Sequence, residues 1–188
     1  MEEKVYKEQE FDKESLDDLE LEDVTFLQCS FENANLTGRR LNGAVFESCN
    51  LSNVNLEKAN LFGAQFKKCK LLGANLRGAT VTATKFEKCN FDYAILRDLK
   101  LVKMDFRDCS FVEADLSLYD LSETSFVNAD LRDTNFTNAR FHLTDMRGAT
   151  LAGFDLKGNV EGIIMNSKQF LDLAETLGVQ IIDENKNE

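Results

Sequence analysis

Residues 26–51 read FLQCSFENANLTGRRLNGAVFESCNL, and Phe26, Phe31, Leu36, Leu41, Phe46 and Leu51 fall in them at every fifth place. The same spacing extends outward in both directions, from Phe11 to Leu156. Thirty successive positions hold Leu, Phe, Met or Val without one insertion or deletion. A lock of that length marks a repeat solenoid, since amphipathic helices and strands have apolar periods of 3.6 and 2. A second period lies over the first. Phe26, Phe46, Phe66, Phe86, Phe106 and Phe126 recur every twenty residues, as do Cys29, Cys49, Cys69, Cys89 and Cys109, which are all the cysteines of the chain. Four pentads therefore make one turn with four short sides, and residues twenty apart stack as in parallel strands. At the usual strand spacing, roughly 150 residues give about 7.5 turns and a rod of roughly 36 Å.

The composition of each pentad agrees with a narrow coil. Two places before each central apolar residue stands a small or thiol side chain, such as Ala34, Ala44, Val54, Ala59, Ala74, Ala94 or Ala149, and this spacing turns both side chains inward. The place just before the centre favours Asn and Asp (Asn35, Asn50, Asn75, Asp105, Asp115, Asp130), and Gly often closes the unit (Gly38, Gly63, Gly148). Asx side chains bond nearby backbone and Gly accepts left-handed conformations, so both suit tight turns.

The units ANLTG (34–38), ANLFG (59–63), ANLRG (74–78), ADLSL (114–118) and ADLRD (129–133) resemble the A(D/N)LXX unit of pentapeptide repeat proteins. The resemblance covers about four-fifths of the chain. It implies an all-β fold, a right-handed quadrilateral parallel β-helix, followed here by a short C-terminal helix and strand. The best-understood members are quinolone-resistance proteins that bind type II topoisomerases as DNA mimics, while most of the family has no assigned function. Many quinolone-resistance members carry loops that interrupt the coils and contact the enzyme; this chain has no such interruption.

Three segments follow. Residues 1–10 form an acidic extension, part of an acidic stretch 1–23 that frays at its tip and then caps the first coil, 11–158 the repeat, and 159–188 a cap and dimerisation segment. Solenoid ends need polar covers. At the C-terminal end Asn166 or Ser167 can cap a helix with Phe170, Leu171, Ala174 and Leu177 on one face, Gly178 supplies its stop, and Val179 to Ile182 reads as a strand. In the quinolone-resistance type an apolar helix, a Leu-Gly pair and a short aliphatic strand make the dimer contact. The match at Leu177 and Gly178 therefore implies a homodimer through Phe170, Leu171, Leu173 and Leu177. Closure of the core by the same helix is the other reading.

Charge directs the search for a surface. The net charge of −11 divides into −8 for residues 1–23, −1 for 24–57, +7 for 58–103, −6 for 104–156 and −3 for 157–188. Joined C-terminal ends would bring two acidic halves together, with Glu113, Asp115, Asp130 and Asp133 as the candidate partner-binding surface. Glu113 and Asp133 lie twenty apart and stack, which is repulsive unless a cationic partner relieves it. Asp115 and Asp130 occupy the consensus turn place and have a structural reason to be acidic. The basic stretch Lys67, Lys68, Lys70, Lys85 and Lys88 has no interleaved aromatics, so direct nucleic-acid binding is not expected.

Several classes are set aside. The acidic start and the lack of any run of eighteen apolar residues argue against a signal peptide or a membrane span, and imply a cytoplasmic protein. Thiols in single file point the same way, so neither a zinc tetrahedron nor a disulfide is expected, and no cofactor is. His142, the only histidine, falls at an outward place, and no catalytic constellation interrupts the repeat. The expected function is non-enzymatic binding, with type II topoisomerase as one target class and a general protein scaffold as the alternative. Phe62, Leu72, Val102, Val112, Val127, Leu118 and Leu143 should face solvent.

Overall fold

A computed structural model describes residues 4–12, 16, 19–153, 160–176 and 178. The chain winds as a parallel β-solenoid of about eight turns. The strands β1 (Lys4–Lys7), β2 (Val24–Leu27), β3 (Val45–Glu47), β4 (Gln65–Lys67) and β5 (Lys85–Glu87) form one parallel sheet in chain order. Their register pairs Phe26 with Phe46, Phe46 with Phe66 and Phe66 with Phe86, an offset of twenty at each step. Single parallel bridges such as Asn35 to Asn55 and Asn50 to Lys70 continue the ladder around the other sides. Further up, β6 (Thr144–Asp145) pairs with β7 (Ile163–Ile164), and the helix α1 (Ser167–Thr176) follows.

The local physics repeats at every pentad. The third residue of each closing turn, two places after the central one, has positive φ from Asp23 to Gly153, whether it is Gly or a side chain as large as Tyr93 or Leu118. The turn closes by an amide bond such as Ala34 N–H to Phe31 O (3.0 Å). Where Asn or Asp precedes the central residue, its Oδ1 accepts the amide two places on, as in Asn55 with Glu57 N–H (3.1 Å) and Asp115 with Ser117 N–H (3.0 Å). The expected turn chemistry of these residues is therefore present.

The core is a column of apolar layers. Phe26, Phe46, Phe66 and Phe86 stack with centroids 4.8 to 5.1 Å apart, and a second file, Phe91 on Phe111, stacks at 4.9 Å. All five cysteines are buried and free. Their thiols occupy a corner where the side chain reaches the carbonyl twenty-three residues back, as Cys69 Sγ does to Phe46 O (3.3 Å). Thr84, Thr124, Thr134 and Thr144 place their hydroxyls in the same way at 2.7 to 2.8 Å, so these buried polar groups are satisfied.

The structure departs from the sequence reading at both ends. The coil begins at Lys4 rather than after residue 10. Tyr6 pairs with Phe26 and its ring stacks on it at 5.5 Å, so a phenol extends the Phe ladder one turn below Phe26. At the other end the pairing of Thr144 with Ile163 has an offset of nineteen, so the last turn is one residue short. Leu156 and the strand expected at Val179 to Ile182 lie outside the described residues.

Candidate partner-binding surfaces

The acidic half carries its own counter-charges. Asp130 is held by Arg132 through Nε to Oδ1 (2.9 Å) and Nη2 to Oδ2 (2.7 Å). The same two-residue spacing gives bidentate pairs at Asp105 with Arg107 and at Asp145 with Arg147. Asp120 lies 3.6 Å from Arg140, and Glu123 lies 3.3 Å from Lys103. The Arg132 hydrogen bonds hold the Asp130 carboxyl below its ordinary range, as Arg107 and Arg147 do for Asp105 and Asp145. Such pairs follow from the coil: residues on either side of a buried centre both point outward, so an Asp-x-Arg triplet closes its own fork. The triplets were in the sequence, and the pairing was not read from them.

The other candidate acids are differently placed. Asp115 accepts the Ser117 amide and Asn135 Nδ2 (3.0 Å), which is structural work. Glu113 accepts the Tyr93 hydroxyl at 2.8 Å, and that bond raises the phenol pKa. Asp133 faces outward beneath Gly153, with its Oδ1 in the space that a Cβ there would take. Asp108, Glu113, Asp115 and Asp133 form no ion pair within 4.0 Å among the described residues. They occupy three sides of the rod rather than one face. In the basic stretch, Lys67 sits between Glu47 and Glu87 in the strand register, so its charge alternates with acids along that side.

The C-terminal end combines a polar seal with an apolar surface. Asn166 is the N-cap of α1: its Oδ1 accepts Gln169 N–H (2.9 Å), and Gln169 Oε1 accepts Asn166 N–H (3.0 Å), a reciprocal capping box. Gln169 also does what the next coil would do. Its Nε2 donates to Met146 O and Ala149 O, both at 2.8 Å, and its Oε1 accepts Gly148 N–H at 3.1 Å. Ala174 is buried, Leu173 is half-buried, and Phe170 and Leu171 remain 62% and 42% exposed. Ile164 and Phe170 line a shallow apolar groove with Ile163, Met165 and Leu171. Gly178 ends the helix with positive φ and an amide bond to Glu175 O (2.9 Å). Leu177, the fourth expected interface residue, lies outside the described residues.

Other features carry little chemistry. Burial pushes the Cys109 thiol up to about 12, and its file-mates Cys29 and Cys49 are also raised, which keeps them protonated. Among the described residues no group of three or more His, Cys, Asp or Glu side chains could hold a metal ion, and no helix is long and apolar enough to cross a membrane. His142 is exposed. Phe62, Leu72, Val102, Leu118 and Leu143 are exposed as expected, whereas Val112 and Val127 are half-buried.

The chain matches the family model for a pentapeptide repeat region over residues 19–96 and 84–159. Among solved structures it is similar to a trypsin-treated variant of QnrB1, a plasmid-mediated fluoroquinolone resistance protein, with a TM-score of 0.59 and 18% identity over 96% of this chain and 98% of that one. Full-length QnrB1 gives a TM-score of 0.54 at 18% identity, covering 94% and 98%. HetL, involved in heterocyst differentiation regulation in the cyanobacterium Nostoc sp. strain PCC 7120, gives 0.58 at 25% identity, covering 77% of this chain and 60% of that one. No curated protein matches the chain significantly.

Proposed function

Because the chain belongs to the pentapeptide repeat family, we propose that it is a non-enzymatic, cytoplasmic binding protein that pairs through its C-terminal end and presents acidic surface to a type II topoisomerase. The observation that carries this reading is the end of the rod. Gln169 already satisfies the last coil, so Ile164, Phe170 and Leu171 are not needed to close the core, yet they remain exposed as one apolar surface beside the acidic half. A second copy covers that surface and doubles the negative charge at the middle of the assembly. There it competes with DNA for a cationic groove, as a DNA mimic does, and lowers quinolone sensitivity. The likeness to QnrB1 supports the target class.

Two measurements test it. Light scattering should report a dimer that Leu171→Asp converts to monomer; a wild-type monomer at high micromolar concentration rejects the pairing. Purified protein should inhibit gyrase supercoiling or protect it from a fluoroquinolone, less so as salt rises. Asp108→Lys with Asp133→Lys should abolish the effect at an unchanged melting point. The second reading, a protein scaffold without a topoisomerase target, is favoured by the arginines that neutralise Asp105, Asp120, Asp130 and Asp145. It expects no response in the supercoiling assay at any concentration.

A further inference from the structure

The solenoid is not equally well laced along its length. Bridges run from Arg40 to Asn60 and Asn60 to Thr80, and from Asp120 to Arg140. Among the described residues, none joins Thr80 to Lys100, Lys100 to Asp120, Lys85 to Asp105 or Ile95 to Asp115. The amides of Val81, Ala83, Lys100, Leu101 and Asp105 likewise lack the bonds that Leu61, Gly63 and Lys85 make one turn below. Only one side keeps its ladder through this turn. There Asn90 bridges to Ser110, with Phe91 N–H to Ser110 O at 2.7 Å and Ser110 N–H to Cys89 O at 2.9 Å.

Ring spacing reports the same opening independently. Phe91 and Phe111, on the laced side, stack at 4.9 Å, whereas on the adjacent side the file widens from 4.8–5.1 Å below Phe86 to 5.8 Å between Phe86 and Phe106 and stays at 5.7 Å between Phe106 and Phe126. A groove of about 550 Å³ has opened between Gly78–Thr84 and the segment Asp98 to Met104. The cause is steric. From Val24 to Ala149 the other corners hold Ala, Cys, Thr or Val, save Arg39, whose guanidinium donates to the Leu16 and Leu19 carbonyls, whereas the side between Leu99 and Met104 has a bulky residue at both ends and Tyr119 stands directly above Leu99. The Tyr119 hydroxyl reaches back to Leu96 O, the bond that Cys and Thr make at their corners, but with a whole phenol ring between the backbone and the donor. Three oversized corners push this side off the stack.

The opposite side is clamped by extra contacts. Asp92 accepts the Ser110 hydroxyl and the Val112 amide (2.9 Å), and Tyr93 reaches Glu113. We infer that this turn is a flexible joint: the rod bends by opening and closing along Leu99–Met104, with the Phe91 to Phe111 side as its hinge line. The joint falls at the charge boundary, between the +7 of residues 58–103 and the −6 of 104–156. Bending therefore changes the angle between a basic and an acidic block, which lets one rod follow partner surfaces of different curvature.

Spin-label pairs decide the matter. Cysteines at Phe62 and His142 span the joint on the bulged side, and cysteines at Leu72 and Ala152 span it on the hinge side; each pair is four turns, or roughly 19 Å, apart. Double electron–electron resonance on the full chain should give a distance distribution at least twofold broader for the first pair. Leu99→Ala with Met104→Thr and Tyr119→Ala, which restores small corners, should narrow it to the width of the second. Equal widths in the otherwise wild-type protein overturn the joint, and so does a folded triple variant whose distribution stays broad. If the triple variant does not fold, the comparison of the two pairs stands as the test.

Discussion

Gln169 is the most sensitive polar residue of the C-terminal end, and replacing it tests the claim that its side chain stands in for a missing coil. In Gln169→Ala, Ala149 O loses the donor that the next turn would otherwise supply, and Met146 O keeps only its turn bond from Ala149 N–H (3.0 Å). Gly148 N–H and Asn166 N–H lose their acceptor as well. Each unsatisfied group costs about 1 to 3 kcal/mol when buried, but the neighbouring groove admits water, so the expected loss is about 2 to 4 kcal/mol in total. For a chain of this size that lowers the melting temperature by roughly 4 to 16 °C. Gln169→Glu refines the test because the shape is kept. Its carboxylate can still accept from Gly148 and Asn166, but an ionised oxygen cannot donate to Met146 O or Ala149 O. Those carbonyls favour the protonated acid, so its folded pKa is raised above the unfolded value of about 4.3. A raised pKa contributes stability that is present below the unfolded pKa and lost as pH rises through the folded one. The difference in melting temperature between Gln169→Glu and wild type should therefore be small near pH 4 and large near pH 7. A Gln169→Ala variant as stable as wild type, or a Gln169→Glu deficit independent of pH, would refute the reasoning.

Phe66 lies fully buried between Phe46 and Phe86, so Phe66→Ala should cost roughly 3 to 5 kcal/mol in thermal or urea melts, whereas Lys67→Ala should leave them nearly unchanged. Gly153→Ala should cost more than Gly38→Ala although both have positive φ, because Asp133 Oδ1 occupies the space for the new methyl at 153 and nothing lies within 4 Å at 38; equal costs would show that the Asp133 carboxylate moves freely. A thiol-reactive dye should find no accessible cysteine in the native protein and five after denaturation. Rapid labelling of native Cys69 would contradict its burial and its pKa of about 12.

The sequence carried the fold because its information is periodic. The five-residue lock and the twenty-residue files of Phe and Cys required no knowledge of distant contacts, and the stacking of Phe46, Phe66 and Phe86 follows from counting. What was not legible depended on exceptions. Tyr6 falls in the Phe file, yet an isolated aromatic among acids gave no periodic signal below Phe11. Asp130 looked like free acidic surface because its pairing with Arg132 depends on which way two adjacent outward side chains lean. Gln169 has its seal only because a helix carries it to the place of the next corner, across a turn that is one residue short. Leu99, Met104 and Tyr119 were visible as large residues at small places, but their effect adds across two neighbouring coils.

The two superposed periods also bear on misfolding. A chain with only the five-residue repeat could slip by one pentad and keep every Leu and Phe inside, so competing registers would be nearly degenerate and the landscape rugged. The files remove that degeneracy. After such a slip the ring of Phe66 would meet Leu51 or Leu41 below it instead of Phe46, and the Cys69 thiol would face Val54 or Ala44 and the wrong carbonyl. Aromatic and thiol side chains thus act as addresses along an otherwise uniform spool. A variant that levels them, with every Phe of the file made Leu and every Cys made Ala, would lose less of its core volume than of its unique winding.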